Sequence, residues 1–225
     1  MFRPRILDVL FFAILSSAVA APTWAEELPL WPLPSTMHTS PVAQKMQLNG
    51  VPLRAALLSG QISDYEFRRA LEASCAEEKG RFQALQFGAK NLWSCIREPY
   101  SQTVQWQEEN GRITGELSTL RLDSQPTLPP PLLLIPDRTE SVSDLETEDD
   151  GVRGRVQILR SDLSVPQLRA ALLRAAQAKG WKVEPLLSGN LMRLSLRQRH
   201  ESLDLAFQPE RMGGCKTVLV WQSKE

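Results

Sequence analysis

Cysteine is the first residue type in this sequence with chemistry to do, and its three copies, Cys75, Cys95 and Cys215, are not equivalent. Cys75 falls one turn beyond Leu71 on a predicted amphipathic helix, so its side chain points to the apolar face. Cys95 lies on a predicted strand and aligns with Leu194 of a later, similar segment. There Leu194 shares strand parity with Met192 and Leu196, which are expected to face a helix. Both thiols are therefore expected in one layer, and an oxidising compartment would join them. Closing a loop of about 20 residues would contribute on the order of 3 kcal/mol. Cys215 is left over, and burial as a small apolar residue is its expected role.

The second constellation is a row of arginines. Arg193, Ser195, Arg197 and Arg199 alternate with Met192, Leu194 and Leu196, so Arg193, Arg197 and Arg199 are expected to line the outward face of a strand. Guanidinium forks match carboxylates and phosphates, which makes this row a candidate surface for an acidic protein or an anionic envelope component. Arg153, Arg155 and Arg160 would extend it. Nucleic acid is not expected, because no aromatic residues interleave the row. Trp31, in a proline-rich stretch, is the candidate for docking on a partner. Trp93, Trp106, Trp181 and Trp221 are expected in cores.

Other groups do not assemble into an active site. The two histidines, His38 and His200, are far apart, and no Cys-x-x-Cys or His-x-x-x-His pair exists, so no metal site is expected. His200, Ser202 and Asp204 lack a glycine-framed serine. No glycine-rich phosphate loop is present. The paired carboxylates Glu77-Glu78 and Glu108-Glu109 are expected to be solvated. No catalytic residue, metal or cofactor is expected.

The elements that must position these residues begin after an export signal. Residues 1–25 have the pattern of a signal peptide: Arg3 and Arg5, an apolar run from Val9 to Leu15, then small residues. Cleavage is expected after Ala25, with Ala18-Val19-Ala20 offering a second site. Its apolar run is too short to span a bilayer, and no membrane-spanning segment is expected in the mature chain. The mature protein is thus placed in the periplasm or outside the cell. Charge is uneven beneath a formal net of zero. Residues 26–124 carry 10 basic and 12 acidic side chains, residues 125–150 carry 1 and 7, and residues 151–225 carry 13 and 6. Such asymmetry fits an anionic partner for the last segment, or an acidic stretch lying over a basic one.

Two segments look like copies of one unit. Ser63 precedes Glu66 by three residues and Lys79-Gly80 follows; Ser164 precedes Gln167 by three and Lys179-Gly180 follows. Each pattern reads as a capping box opening a helix and a glycine closing it. Leading strands are expected at Met46–Leu57 and Val152–Leu159. Short alternating strands follow each helix, with Asn110-Gly111 a hairpin signal. The expected organisation is a signal peptide (1–25), an extended proline-rich segment (26–44), an α+β unit (45–124), a proline-rich then acidic linker (125–150) and a second α+β unit (151–225). Each unit is expected to be a single helix packed on a small antiparallel sheet. Leu132 to Ile135, inside the linker, are expected to pack back onto the chain.

At the level of architecture alone, duplicated small α+β modules after a signal peptide resemble soluble domains of envelope secretion and pilus machines. Fold alone does not fix function. Two disulfide-compatible modules joined by a stiff linker would present two surfaces to partners, so the expected role is an exported, non-enzymatic binding protein, an accessory or assembly factor, with a homo-oligomer open. Two other readings stand beside it: an inhibitor or effector of another exported protein, acting through Trp31 or the linker, and an enzyme of unrecognised type.

Overall fold

The structure, a computed structural model, describes residues 28–87, 90–184, 192–211 and 213–224. The expected signal peptide and the loop at 188–190 lie outside them. The first half contains β1 (Met37–Pro41), β2 (Lys45–Leu48), β3 (Val51–Gln61), α1 (Asp64–Glu77), β4 (Arg81–Phe87), β5 (Lys90–Arg97), β6 (Tyr100–Glu109) and β7 (Arg112–Arg121). The second contains β8 (Thr139–Asp149), β9 (Val152–Ser161), α2 (Val165–Ala178), β10 (Lys182–Val183), β11 (Arg193–Gln198), β12 (Glu201–Pro209) and β13 (Cys215–Lys224).

The expected α+β class is wrong. The chain is mostly antiparallel β sheet, 55% strand and 15% helix. Its 13 described strands form one sheet in the order β10-β11-β12-β13-β9-β8-β2-β3-β7-β6-β5-β4, with β1 also on β3, instead of two helix-on-sheet units. Two errors of assignment caused this. Met46–Leu57 is no single strand, because Asn49 and Gly50 both take positive φ (52° and 75°) and turn β2 back into β3. Residues 139–149, expected in the acidic linker, form β8. Asp150 and Gly151 (φ 46° and 76°) then turn it into β9. Asn110-Gly111 makes the third such turn, between β6 and β7, as expected.

Both helices start where the capping boxes predict. The Ser63 hydroxyl accepts from the Glu66 amide at 3.2 Å, and the Ser164 amide donates to the Gln167 side chain at 3.0 Å. They begin at 64 and 165, a spacing of 101 residues, and the same spacing relates β6 to β12 (100 to 201). The left-handed closing residues are accordingly Lys79 (φ 56°) and Gly180 (φ 87°). Gly80 is glycine for another reason: a Cβ there would sit 2.7 Å from the Cys75 sulfur and would also strike that of Cys95.

Strand order repeats too, β3-β7-β6-β5-β4 in one half and β9-β13-β12-β11-β10 in the other. The halves meet where β2 pairs with β8, Lys45 opposite Glu148, Met46 opposite Thr147 and Gln47 opposite Glu146. Shifting every number by 101 exchanges the first and third pairs and returns Met46–Thr147 to itself. The seam therefore lies on an approximate two-fold axis. No helix of the described residues is long and apolar enough to cross a membrane.

Each helix covers one end of the same sheet face. α1 buries Phe67, Leu71 and Cys75 against Trp93, Trp106, Val104 and Leu117. Phe67, Trp106, Trp93 and Phe82 stack edge to face in sequence, with centroids 4.6 to 5.2 Å apart. α2 buries Leu168, Leu172 and Ala176 on Leu194, Leu196, Leu205 and Leu219. Leu133 joins this second core while Leu134 stays exposed, so the apolar run does pack back onto the chain.

Between the helices the same face is polar, and the two proline-rich stretches lie across it. Arg54 donates to the Leu28 carbonyl at 2.7 Å, and Thr119 and Gln102 donate to that of Pro29 at 2.6 and 3.2 Å. In the other half Arg155 donates to the Pro130 carbonyl at 2.7 Å. Arg54 and Arg155 are equivalent under the 101-residue shift. Proline brings a carbonyl acceptor but no amide donor, so such a strap can cover buried donors without adding unsatisfied ones.

Candidate functional site

Cys75 and Cys95 form the expected disulfide, both buried, and it ties α1 to β5. The hairpin register puts Cys95 two residues from its expected alignment. Gln198 pairs with Glu201 as Arg97 pairs with Tyr100, so Leu196, not Leu194, holds the equivalent place. A shift of two keeps strand parity, which is why the pairing was still readable. Cys215 is buried and unbonded, and burial pushes its thiol pKa up. It pairs with Ser161 where Ile113 pairs with Gly60, so it fills an apolar core position.

Trp31 cannot dock on a partner in this fold. It is 1% exposed, packed in the α1 core, and its indole N–H donates to the Ser74 hydroxyl at 3.1 Å. The tryptophan anchors the N-terminal strap on its own chain.

The arginine row is smaller than its sequence suggested. Arg193 and Arg197 project outward from β11 between buried Leu194 and Leu196, as expected. Arg197 is held by Glu184 at 2.9 Å. Arg199 lies beyond the strand, exposed in the turn to β12 with φ 52°. Arg155 is no extension of the row. It is 5% exposed on the helix-bearing face and binds Asp144 through two hydrogen bonds, at 2.8 and 2.6 Å. Arg160 pairs with Glu140 and Glu210 at 4.0 and 3.8 Å. The acidic strand β8 thus neutralises much of β9. Counting residues 125–150 with 151–225 gives 14 basic and 13 acidic side chains, a net of +1.

Register then defines the outer face, opposite the helices. In the second half its centre is apolar. Val218 lies opposite Ile158 and Ala206, and Val220 opposite Val156, with the four β-branched residues half-buried and Ala206 exposed. Arg193 and Arg197 stand on one side of this strip, and Lys216 and Arg160 at one end. The first half differs on β6 and β7, while Leu57 and Ala55 keep apolar residues at the places of Ile158 and Val156. Glu116 and Ser118 occupy the places of Val218 and Val220, and Gln105 that of Ala206. Leu92 and Ile96 stand where Arg193 and Arg197 stand. Between equivalent pairs the chain is one residue longer in the second half, 12 positions from Ala206 to Val218 against 11 from Gln105 to Glu116, so the last strand shifts by 102.

A cleft of 270 Å³ opens at the seam, lined by Lys45, Gln47, Glu146, Glu148, Arg153 and Trp221 among others. Lys45 donates to Glu148 at 2.7 Å, and this bond holds the Glu148 carboxyl below its usual range. Burial raises the Glu146 pKa, Arg155 opposes that shift, and Asp144 adds to it. Carboxylates and cations here sit as neighbours across strands, an arrangement that joins β2, β8 and β9. Among the described residues no group of three or more His, Cys, Asp or Glu could hold a metal ion. His200 is exposed in the turn after β11, while Ser202 and Asp204 lie on the outer face of β12.

No family model matches the chain, and no curated protein or solved structure matches it either.

Proposed function

We propose that this chain is an exported, non-enzymatic binding protein of the cell envelope or the secreted fraction. The outer sheet face of its second half takes a partner that is anionic and partly apolar. The observation that carries the reading is the contrast between the halves. One topology is built twice, once with Glu116, Ser118 and Gln105 at the centre of the outer face and once with Val218, Val220 and Ala206. At those three positions the first half shows that polar residues satisfy the fold. An apolar strip flanked by Arg193 and Arg197 therefore serves something other than folding, and such a strip with a basic rim suits a protein surface or an anionic amphiphile.

Export is supported by the Cys75–Cys95 bond, which persists in oxidising compartments. The rival reading of an inhibitor acting through Trp31 loses its anchor, because that side chain is core. The resemblance to secretion and pilus domains rested on the α+β class and falls with it.

The test compares equivalent positions. A photoreactive residue at Ala206 is expected to capture an envelope partner, and one at Gln105 is not. Reversing Arg193, Arg197 and Arg199 to Glu should suppress capture from position 206 without changing the melting temperature. Equal capture at the two positions, or capture indifferent to charge reversal, would contradict the proposal.

A further inference from the structure

The thirteen described strands form a sheet whose ends leave edges, and those edges are not equally protected. An unpaired edge offers a row of backbone donors and acceptors to any strand that approaches. β1 ends in Pro41, and β8 carries a register irregularity between Ser141 and Ser143 beside its free half. β10, at one end of the sheet, has two residues. In the sequence Lys182 and Glu184 bring charge there, and Pro185 follows. β4, at the opposite end, occupies the equivalent place, shares only the single charge, Arg81 in place of Lys182, and is not short. It runs seven residues with one charge and no proline.

The outer face beside this edge is mixed, with Gln83 opposite Ser94 at its centre and apolar residues on either side. Leu85 is 58% exposed and lies opposite Leu92, and Arg81 lies opposite Ile96. We propose that the β4 edge pairs antiparallel with β4 of a second copy of this chain, joining two sheets into one across a two-fold axis. Charge argues for a second copy as the occupant. With the axis at Gln83, Arg81 faces Leu85 of the other copy, so the two arginines stand at opposite ends and no like charges meet. Its aliphatic stem then covers Leu85, and two rows form across the copies, each reading Ile96, Arg81, Leu85 and Leu92, with a row of Ser94 and Gln83 between them. The chain already joins sheets this way, because β2 and β8 pair antiparallel about the internal axis. The inference is independent of the outer-face partner proposed above.

Light scattering of the disulfide-bonded mature chain across the micromolar range should show a dimer in equilibrium with monomer. Leu85→Lys places like charges opposite each other twice per dimer and should weaken self-association about tenfold or more. Adding Arg81→Glu to that variant should restore it, since each lysine then faces a glutamate. Far-UV spectra and melting of the monomeric form should match the parent, which separates lost pairing from lost folding. A chain that is monomeric throughout overturns the proposal, and so does a dimer insensitive to Leu85→Lys.

Discussion

Arg155→Met is expected to cost about 3–5 kcal/mol of folding stability, because it leaves the Asp144 carboxylate buried without its counter-ion. Both side chains are about 6% exposed, and their two hydrogen bonds tie β9 to β8. The same guanidinium holds the Pro130 carbonyl, so its loss also frees the strap that leads to Leu133 in the α2 core. Pairing Arg155→Met with Asp144→Leu should recover much of the loss, since an apolar pair in place of a buried ion pair is often close to neutral. Recovery should stop short of complete, because the Pro130 carbonyl keeps no donor. Urea unfolding gives the answer directly: a midpoint lowered with unchanged slope for the single variant, and a midpoint mostly restored for the double. If residues 139–149 were a linker, neither variant would move the midpoint by more than a few tenths of a kcal/mol.

Trp31→Ala should be nearly as damaging, about 3–5 kcal/mol and on the order of 10 °C in Tm. The indole is the largest side chain that the N-terminal strap contributes to the α1 core, and the Ser74 hydroxyl loses its donor. A docking residue would behave in the opposite way, leaving Tm unchanged and weakening partner capture. Trp31→Phe separates the two parts of the loss: it restores most of the packing and none of the hydrogen bond to Ser74.

What could be read from the sequence was local. Capping boxes at Ser63 and Ser164 located both helix starts, and helix periodicity with strand parity joined Cys75 to Cys95. Parity also placed Arg193 and Arg197 outward. What escaped was set by distant pairing. Asp144, Glu146 and Glu148 are poor strand formers taken singly, and they read as a self-repelling linker. They form a strand because Gln157, Arg155 and Arg153 lie opposite them in the register of β9. One signal was present and missed, since Asp150-Gly151 and Asn49-Gly50 are the same kind of hairpin dipeptide as Asn110-Gly111. Recognising the three together would have turned two presumed linkers and leaders into strands and removed the α+β assignment. The proline-rich stretches misled for a similar reason. Their composition excludes helix and sheet donors, yet their carbonyls suit a polar seam carrying Arg54, Thr119 and Arg155. Trp31 followed the strap inward. The outer-face strip was hidden because its four β-branched residues come from β9 and β13, some sixty positions apart, and only the sheet order sets them side by side.

Export underlies the proposed role, and the state of the chain recovered from cells bears on it most directly. N-terminal sequencing with thiol trapping should find a mature chain beginning at Glu26 outside the cytoplasm. Cys75 and Cys95 should then resist alkylation until reduced, and Cys215 should react only on unfolding. A chain that retains Met1 in the cytosol, with Cys75 and Cys95 both alkylated without reductant, would contradict it.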